Sequence, residues 1–245
     1  DEFDLDKPCI QITKLSAEEW LLKMRETRYQ PNTKFKFSKV LKKLLNFMFE
    51  YSYLPYFKIN RDVVFKPEVK EIIIFSRDDK RKLLDSLANK NGNFRIGFYL
   101  LYYTGLRPSD IINIAVEDID FEKGQFDYYS SKTDQYFKVP IHPSLIPKLK
   151  ERADEIKSGK LLDYSEYKNI GRAFKRYLEE LEIPSTKYNL RTFRKNFISL
   201  AHESGLDLAY VSRLVGHKKI TTTEKYYNLL SVTRMSEELS KLKID

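Results

Sequence analysis

Residues 190–227 read LRTFRKNFISLAHESGLDLAYVSRLVGHKKITTTEKYY. Asn189 is a natural N-cap, and it places Arg191 in the first turn of a helix over 189–203. Gly205 ends that helix, Asp207 caps the next one (207–215), and Gly216 ends it in turn. His217 follows directly. Thr222 then opens a third helix (222–229) carrying Tyr226 and Tyr227, with Tyr226 nine residues beyond His217. Helices linked by glycine-centred turns, carrying an arginine, a histidine and a tyrosine at fixed spacing, organise the reading of everything upstream.

Helices are also expected at 144–157, 165–182 and 232–243, the last with Val232, Met235, Leu239 and Leu242 in one apolar stripe. The convincing β signal is confined to a meander: Ile119-Asp-Phe, a Glu-Lys-Gly turn, Gln125 to Ser130, the turn Ser131-Lys-Thr-Asp134, then Tyr136 to Ile141. Ser76-Arg-Asp-Asp79 caps a helix through about Lys90, which Asn91-Gly92-Asn93 ends. Phe94 to Tyr103 is apolar nearly all round and reads as a buried helix that stops at Gly105. Pro108 suits the start of the next helix, so Arg107 stands at a rigid junction. The expected fold class is mainly α with a small three-stranded antiparallel sheet.

The N-terminal part reads differently. Residues 1–15, polar and acidic at the start, read as an arm or frayed segment. Ser16-Ala-Glu-Glu19 is a capping-box pattern that opens a helix carrying Trp20, Leu21 and Met24. Pro31-Asn-Thr33 separates it from a second helix running to about Tyr51, with Phe37, Leu41, Leu44, Leu45 and Met48 at helical spacing. Lys36, Lys39 and Lys43 share the opposite face. Between Lys23 and Lys70 there are 12 basic residues against 4 acidic ones, a density suited to a phosphate backbone. Residues 54–74 read as a linker, which gives domains at 1–71 and 72–245.

Across 245 residues the net charge is +9, pointing to a polyanionic partner, nucleic acid before membrane. A single cysteine, Cys9, excludes an internal disulfide and fits a reducing, cytoplasmic compartment. No apolar run reaches the roughly 18 residues of a membrane span.

Attack of a tyrosine on a phosphodiester has three demands. Fixed cations must flank the non-bridging oxygens, which gain charge in the pentacoordinate state. The phenol, with a free pKa of about 10, must give up its proton. The departing 5′ oxygen needs a general acid. Arginines suit the first task because they are always charged, planar and bidentate. Arg107 and Arg191 are the candidate clamps, His217 a candidate donor to a phosphate oxygen, and Lys132, on the hairpin, the candidate acid. Singly, each of these residues is more often a surface ion pair or a structural group; the ordered set carries the signal. Glu117, Asp118 and Asp120 flank a strand and turn, where acids are common, and one cysteine with three scattered histidines offers no zinc site. No metal and no cofactor is expected.

The ordered set resembles the tyrosine recombinase family of phage integrases and chromosome-dimer resolving recombinases. TGLRPSD is similar to the family's first arginine box, which implies Arg107 as first clamp and Asp110 as the acidic residue supporting the hydrogen-bond network. SSKTDQYFKVPIH resembles the hairpin carrying the mobile catalytic lysine, here Lys132. LVGHKKITTTEKYY resembles the LGHxxxxTTxxY pattern, which implies Tyr226 as nucleophile. Adjacent helical positions point about 100° apart, so Tyr227 cannot face the same phosphate. The second box, usually His-x-x-Arg, is read here as Tyr188-Asn-Leu-Arg191. Tyrosine is a poor base at neutral pH, but it can still hydrogen-bond a phosphate oxygen. A tyrosine there is similar to integrases of archaeal viruses and plasmids. Arg194 is a further candidate DNA contact, with Lys36, Lys39 and Lys43. The resemblance implies a homo-tetramer on double-stranded DNA, monomeric or weakly associated without it. It also implies a helical core-binding module of which 1–71 is a part. Two other readings remain open from the residues: a type IB topoisomerase, and a DNA-binding protein whose site has decayed at position 188.

Overall fold

A computed structural model describes residues 11–68 and 71–217. The chain divides into two compact units, Asp1–Glu71 and Ile72–Asp245.

In the first unit, α1 (Lys14–Glu26) and α2 (Pro31–Glu50) pack through a small apolar cluster. Helix α1 starts earlier than the Ser16 capping box suggests. The Thr13 hydroxyl accepts the Ser16 amide at 3.1 Å while the Ser16 hydroxyl accepts the Thr13 amide at 3.0 Å, so two otherwise orphaned donors are satisfied three residues upstream. Leu41, Leu45 and Met48 are buried at i, i+4 and i+7, whereas Leu44 is 46% exposed, lying about 100° around the helix from Leu45. Lys36, Lys39 and Lys43 are exposed. The stretch read as a linker is largely packed: Leu54 and Ile59 are buried in the same cluster, with Phe57, Val63, Val64 and Phe65 against it. Its backbone is tied down too, Phe65 N–H donating to the buried Ser38 hydroxyl at 3.3 Å and Asn32 bridging the Glu68 backbone in both directions at 3.0 Å.

In the second unit, α3 (Arg77–Asp85) ends in a 3-10 turn, Leu87–Asn89. Asn91 then begins the next helix instead of ending the previous one, since its side chain accepts the Phe94 amide at 2.8 Å. That helix, α4 (Gly92–Thr104), buries Phe94, Ile96, Phe98, Leu100 and Leu101 on successive faces, as its all-round apolar sequence requires. It is followed by α5 (Pro108–Ile111), the antiparallel sheet β1 (Ile119–Asp120), β2 (Gln125–Ser130) and β3 (Gln135–Pro140) in the order β1-β2-β3, then α6 (Ile146–Ile156), α7 (Tyr167–Glu180), α8 (Leu190–Glu203) and α9 (Leu208–Leu214). The helices expected at 222–229 and 232–243 lie outside the described residues.

Two features position the site. Helix α8 is anchored by Phe193, 1% exposed, whose ring meets Phe75, Phe98 and Phe174 at centroid distances of 4.9, 4.8 and 5.0 Å. Strand β2 alternates with period two: Phe126, Tyr128 and Ser130 face inward while Asp127 and Tyr129 face out. The register Tyr128↔Phe137 and Ser130↔Gln135 leaves Ser131–Asp134 as the hairpin tip.

Candidate active site

Arg107 is fixed by what surrounds it. Gly105 ends α4 in the left-handed region (φ 62°), and a side chain there would strike Phe197 of α8 at 2.7 Å. Pro108 starts α5 with its ring-fixed φ, and Arg107 is the extended residue between. Its side chain is 16% exposed, and the guanidinium donates through Nη2 to the Gly216 carbonyl at 3.0 Å. Through Nη1 it meets the Asp110 carboxylate and the Ser130 hydroxyl, each at 3.4 Å.

Asp110 is 1% exposed. Ser130 donates to both its oxygens (3.3 and 3.2 Å) and Ser109 to one (3.3 Å). A carboxylate this deep is tolerable only when paired and hydrogen-bonded, and Arg107 with the two hydroxyls supplies that. Arg107 and Asp110, read together from TGLRPSD, are brought together by the fold.

The second arginine of the cluster is Arg194, not Arg191. Arg194 Nη1 donates to the Gly105 carbonyl at 3.1 Å, the end of α4 that also sets Arg107. Both guanidinium groups act on Tyr128. Burial pushes that phenol up to about 12, the Asp110 charge pushes the same way, and Arg194 and Arg107 pull against it. Arg191 is exposed, and its side chain makes no hydrogen bond or ion pair with a described residue; its amide is bonded to Asn189, the N-cap. The His-x-x-Arg spacing is met in two frames, Tyr188-x-x-Arg191 and Arg191-x-x-Arg194, and burial distinguishes them where spacing does not.

Tyr188 is 1% exposed. Its hydroxyl donates to Asp79 Oδ2 at 2.7 Å and accepts the Ser76 amide at 3.0 Å. Burial works to raise the Asp79 pKa, but hydrogen bonds from Lys187, Tyr188 and Ser76 outweigh it and hold the carboxyl at about 2. Tyr188 therefore ties the start of α3 to the base of α8 instead of facing a phosphate, which corrects its expected place in the site.

Lys132 is exposed at the hairpin tip. The turn beneath it is tight: the Ser130 carbonyl accepts the amides of Thr133 (3.1 Å) and Asp134 (2.8 Å), and Tyr129 donates to Asp134 at 2.6 Å. His217 is half-buried, its amide donating to the Ser212 carbonyl at 2.9 Å. It follows Gly216, whose φ is 63° and where a Cβ would stand only 2.9 Å from the Tyr128 hydroxyl. Tyr226 lies outside the described residues. Tyr128 lies in none of the motifs and Ser130 only opens SSKTDQYFKVPIH; the period-two pattern of β2 is the signal for both.

The acids at 117, 118 and 120 close local structure, Glu117 accepting the Gly159 amide, Asp118 that of Ala115, and Asp120 pairing with Lys123. Among the described residues no three His, Cys, Asp or Glu side chains are grouped to hold a metal, and no helix is long and apolar enough to cross a membrane.

The sequence pattern of the phage integrase family matches residues 64–232. The chain belongs to the phage integrase family. It is similar to the tyrosine recombinase XerA of Pyrococcus furiosus, with 29% identity over 163 residues, 62% of this chain and 55% of that protein. The chain therefore spans little more than half the length of that relative. In fold, this family member resembles the Tn1549 transposon integrase in complex with transposon right end DNA (TM-score 0.78, 16% identity, 96% of this chain and 87% of that one). It likewise resembles the XerH site-specific recombinase in a post-cleavage complex with palindromic difH substrate (TM-score 0.75, 17% identity, 94% and 72%).

Proposed function

We propose that the protein is a site-specific DNA recombinase that cleaves and rejoins strands through a 3′-phosphotyrosyl bond, joining a mobile element to another DNA. The observation that carries this reading is Arg107 held by Asp110, Ser130 and the Gly216 carbonyl, with Arg194 anchored on the carbonyl of Gly105, two residues before Arg107, and both cations acting on the buried Tyr128. Two permanent cations held in a largely water-excluded setting are what a phosphate gaining charge requires. Arg191, one turn from Arg194 and exposed at the start of α8, adds an outer cation where helix N-terminal amides also favour an anion.

In this reading Tyr226 Oη forms a bond to phosphorus and gives up its proton to water at the site. The bond from phosphorus to the 5′ oxygen breaks, and Lys132 supplies the proton that the departing oxygen takes. A 5′ hydroxyl of a second strand reverses the step, so the bond energy is conserved in the phosphotyrosine. Four copies acting on two sites, as the family resemblance implies, would exchange strands in pairs. The exposed Lys36, Lys39 and Lys43 of the first unit supply phosphate contacts.

The test is incubation with a nicked duplex carrying a candidate attachment site, with EDTA present, followed by a denaturing gel. A slower protein–DNA band that disappears in Tyr226→Phe, while DNA binding persists, is the expected result. No band on any DNA, at low or high temperature, would leave a DNA binder without strand transfer.

A further inference from the structure

Ser130 touches both halves of the site through different atoms. It is fully buried and closes β2 on its inward face. Its hydroxyl donates to both Asp110 oxygens and receives Arg107 Nη1. Its carbonyl accepts two amides of the hairpin turn and, at 3.5 Å, the Thr133 hydroxyl. Thr133, immediately after Lys132, is 5% exposed. The lysine therefore stands exposed on a turn whose floor is bolted to the first arginine's own ion pair. A lysine at the tip of a hairpin held only by its ladder would sway with the hairpin; here the floor moves only if the buried carboxylate network moves with it.

We propose that Ser130 is a positioning residue that fixes the Lys132 turn to the Arg107–Asp110 pair, so that proton delivery to the leaving oxygen stays in register with phosphate clamping. The inference rests on the strand-transfer reading and on Lys132 as acid. It assigns to the serine no contact with DNA.

Leaving-group chemistry separates this role from a general structural one. When the 5′ bridging oxygen is replaced by sulfur, the phosphorus–sulfur bond breaks to release a thiolate. A thiol is far more acidic than an alcohol, so the leaving group needs no proton. Single-turnover adduct formation on nicked duplexes with 5′-oxygen or 5′-sulfur at the cleaved bond is measured for wild type, Lys132→Ala, Ser130→Ala and Ser130→Cys. General acids contribute roughly 10²–10⁴-fold; Lys132→Ala is expected to lose that much on oxygen and to recover on sulfur. Ser130→Ala should lose roughly 10-fold or more on oxygen by misplacing that acid, and it too should recover on sulfur. Ser130→Cys, which keeps the volume with a weaker donor, should fall between.

An equal loss on both substrates for Ser130→Ala places its effect on Arg107 or on folding and overturns the proposal, as does an unimpaired rate on oxygen. If Ser130→Ala does not fold, the intermediate variant decides by the same ratio. Failure of the underlying reading looks different: wild type then forms no adduct on either substrate, or Lys132→Ala shows no recovery on sulfur.

Discussion

Arg194 reaches across 89 positions of the chain to donate to the Gly105 carbonyl at 3.1 Å. The acceptor is the buried C-terminal end of helix α4, where carbonyls lack helical partners and a cation is favourable. One end of α4 thus holds the second arginine while the next two residues deliver the first, and the distance between the two cations is set by a single turn of backbone.

The two arginines of α8 should therefore separate kinetically. Losing one preorganised donor to a charged transition state costs about 10²–10³-fold, and Arg194→Ala should slow adduct formation on a nicked duplex by that much. Arg191→Ala, which removes an exposed side chain, should lose about 10-fold or less. A larger loss at 191 than at 194, read on the same gel, would return the second clamp to the first turn.

Asp79 makes stability depend on acid. Its folded carboxyl titrates at about 2, below its ordinary 3.8, so its contribution is fully present above about pH 4 and fades as pH falls through about 2. Hydrogen bonds to a charged group contribute about 1.5–3 kcal/mol. Asp79→Asn should be destabilised by about that amount at neutral pH and converge on wild type near pH 2. Denaturant titrations at the two pH values check this; a gap that stays constant would mean that the carboxylate's charge does not matter.

Gly216 and Tyr128 form a size-matched pair. An alanine at 216 would adopt a left-handed conformation, at a cost of about 1–2 kcal/mol, and would press on the Tyr128 hydroxyl at 2.9 Å. Gly216→Ala should lower the melting midpoint. Adding Tyr128→Phe, which removes the obstructing oxygen, should restore part of the loss but not the backbone portion. Simple additivity of the two changes in melting would refute the contact.

Phe193 packs α8 against the rest of the core. Truncating a buried phenylalanine costs about 3–5 kcal/mol, so Phe193→Ala should shift the urea midpoint strongly and reduce adduct formation with it. A protein of unchanged stability would show that the aromatic cluster does not hold α8.

The helix pattern, the meander and the Arg107–Asp110 pair were legible because each is local: caps, glycines at left-handed turns and a three-residue spacing decide them. What stayed hidden depends on contacts far apart in the chain. Arg191 and Arg194 are equally basic and sit on the same helix; only the approach of α4 at Gly105 distinguishes them. Tyr188 read as a ligand because its partner, Asp79, lies 109 positions away. Residues 54–68 read as a linker because their apolar side chains follow no helical or strand period, yet they had a surface of α1 and α2 to cover. Ser130 opens the hairpin motif, but nothing local marks it as the partner of Asp110, 20 positions away.

The bond from Arg107 to the carbonyl of residue 216 also sets a time. During synthesis at roughly 5–20 residues per second, the acceptor trails the arginine by 109 positions, an interval on the order of ten seconds. A nascent chain, or one ended early by a damaged message, carries the first arginine without the carbonyl that aims it. A chain that ends before residue 216 keeps the Asp110 and Ser130 contacts of Arg107 but lacks the third, so the aim of that cation is completed only late in synthesis.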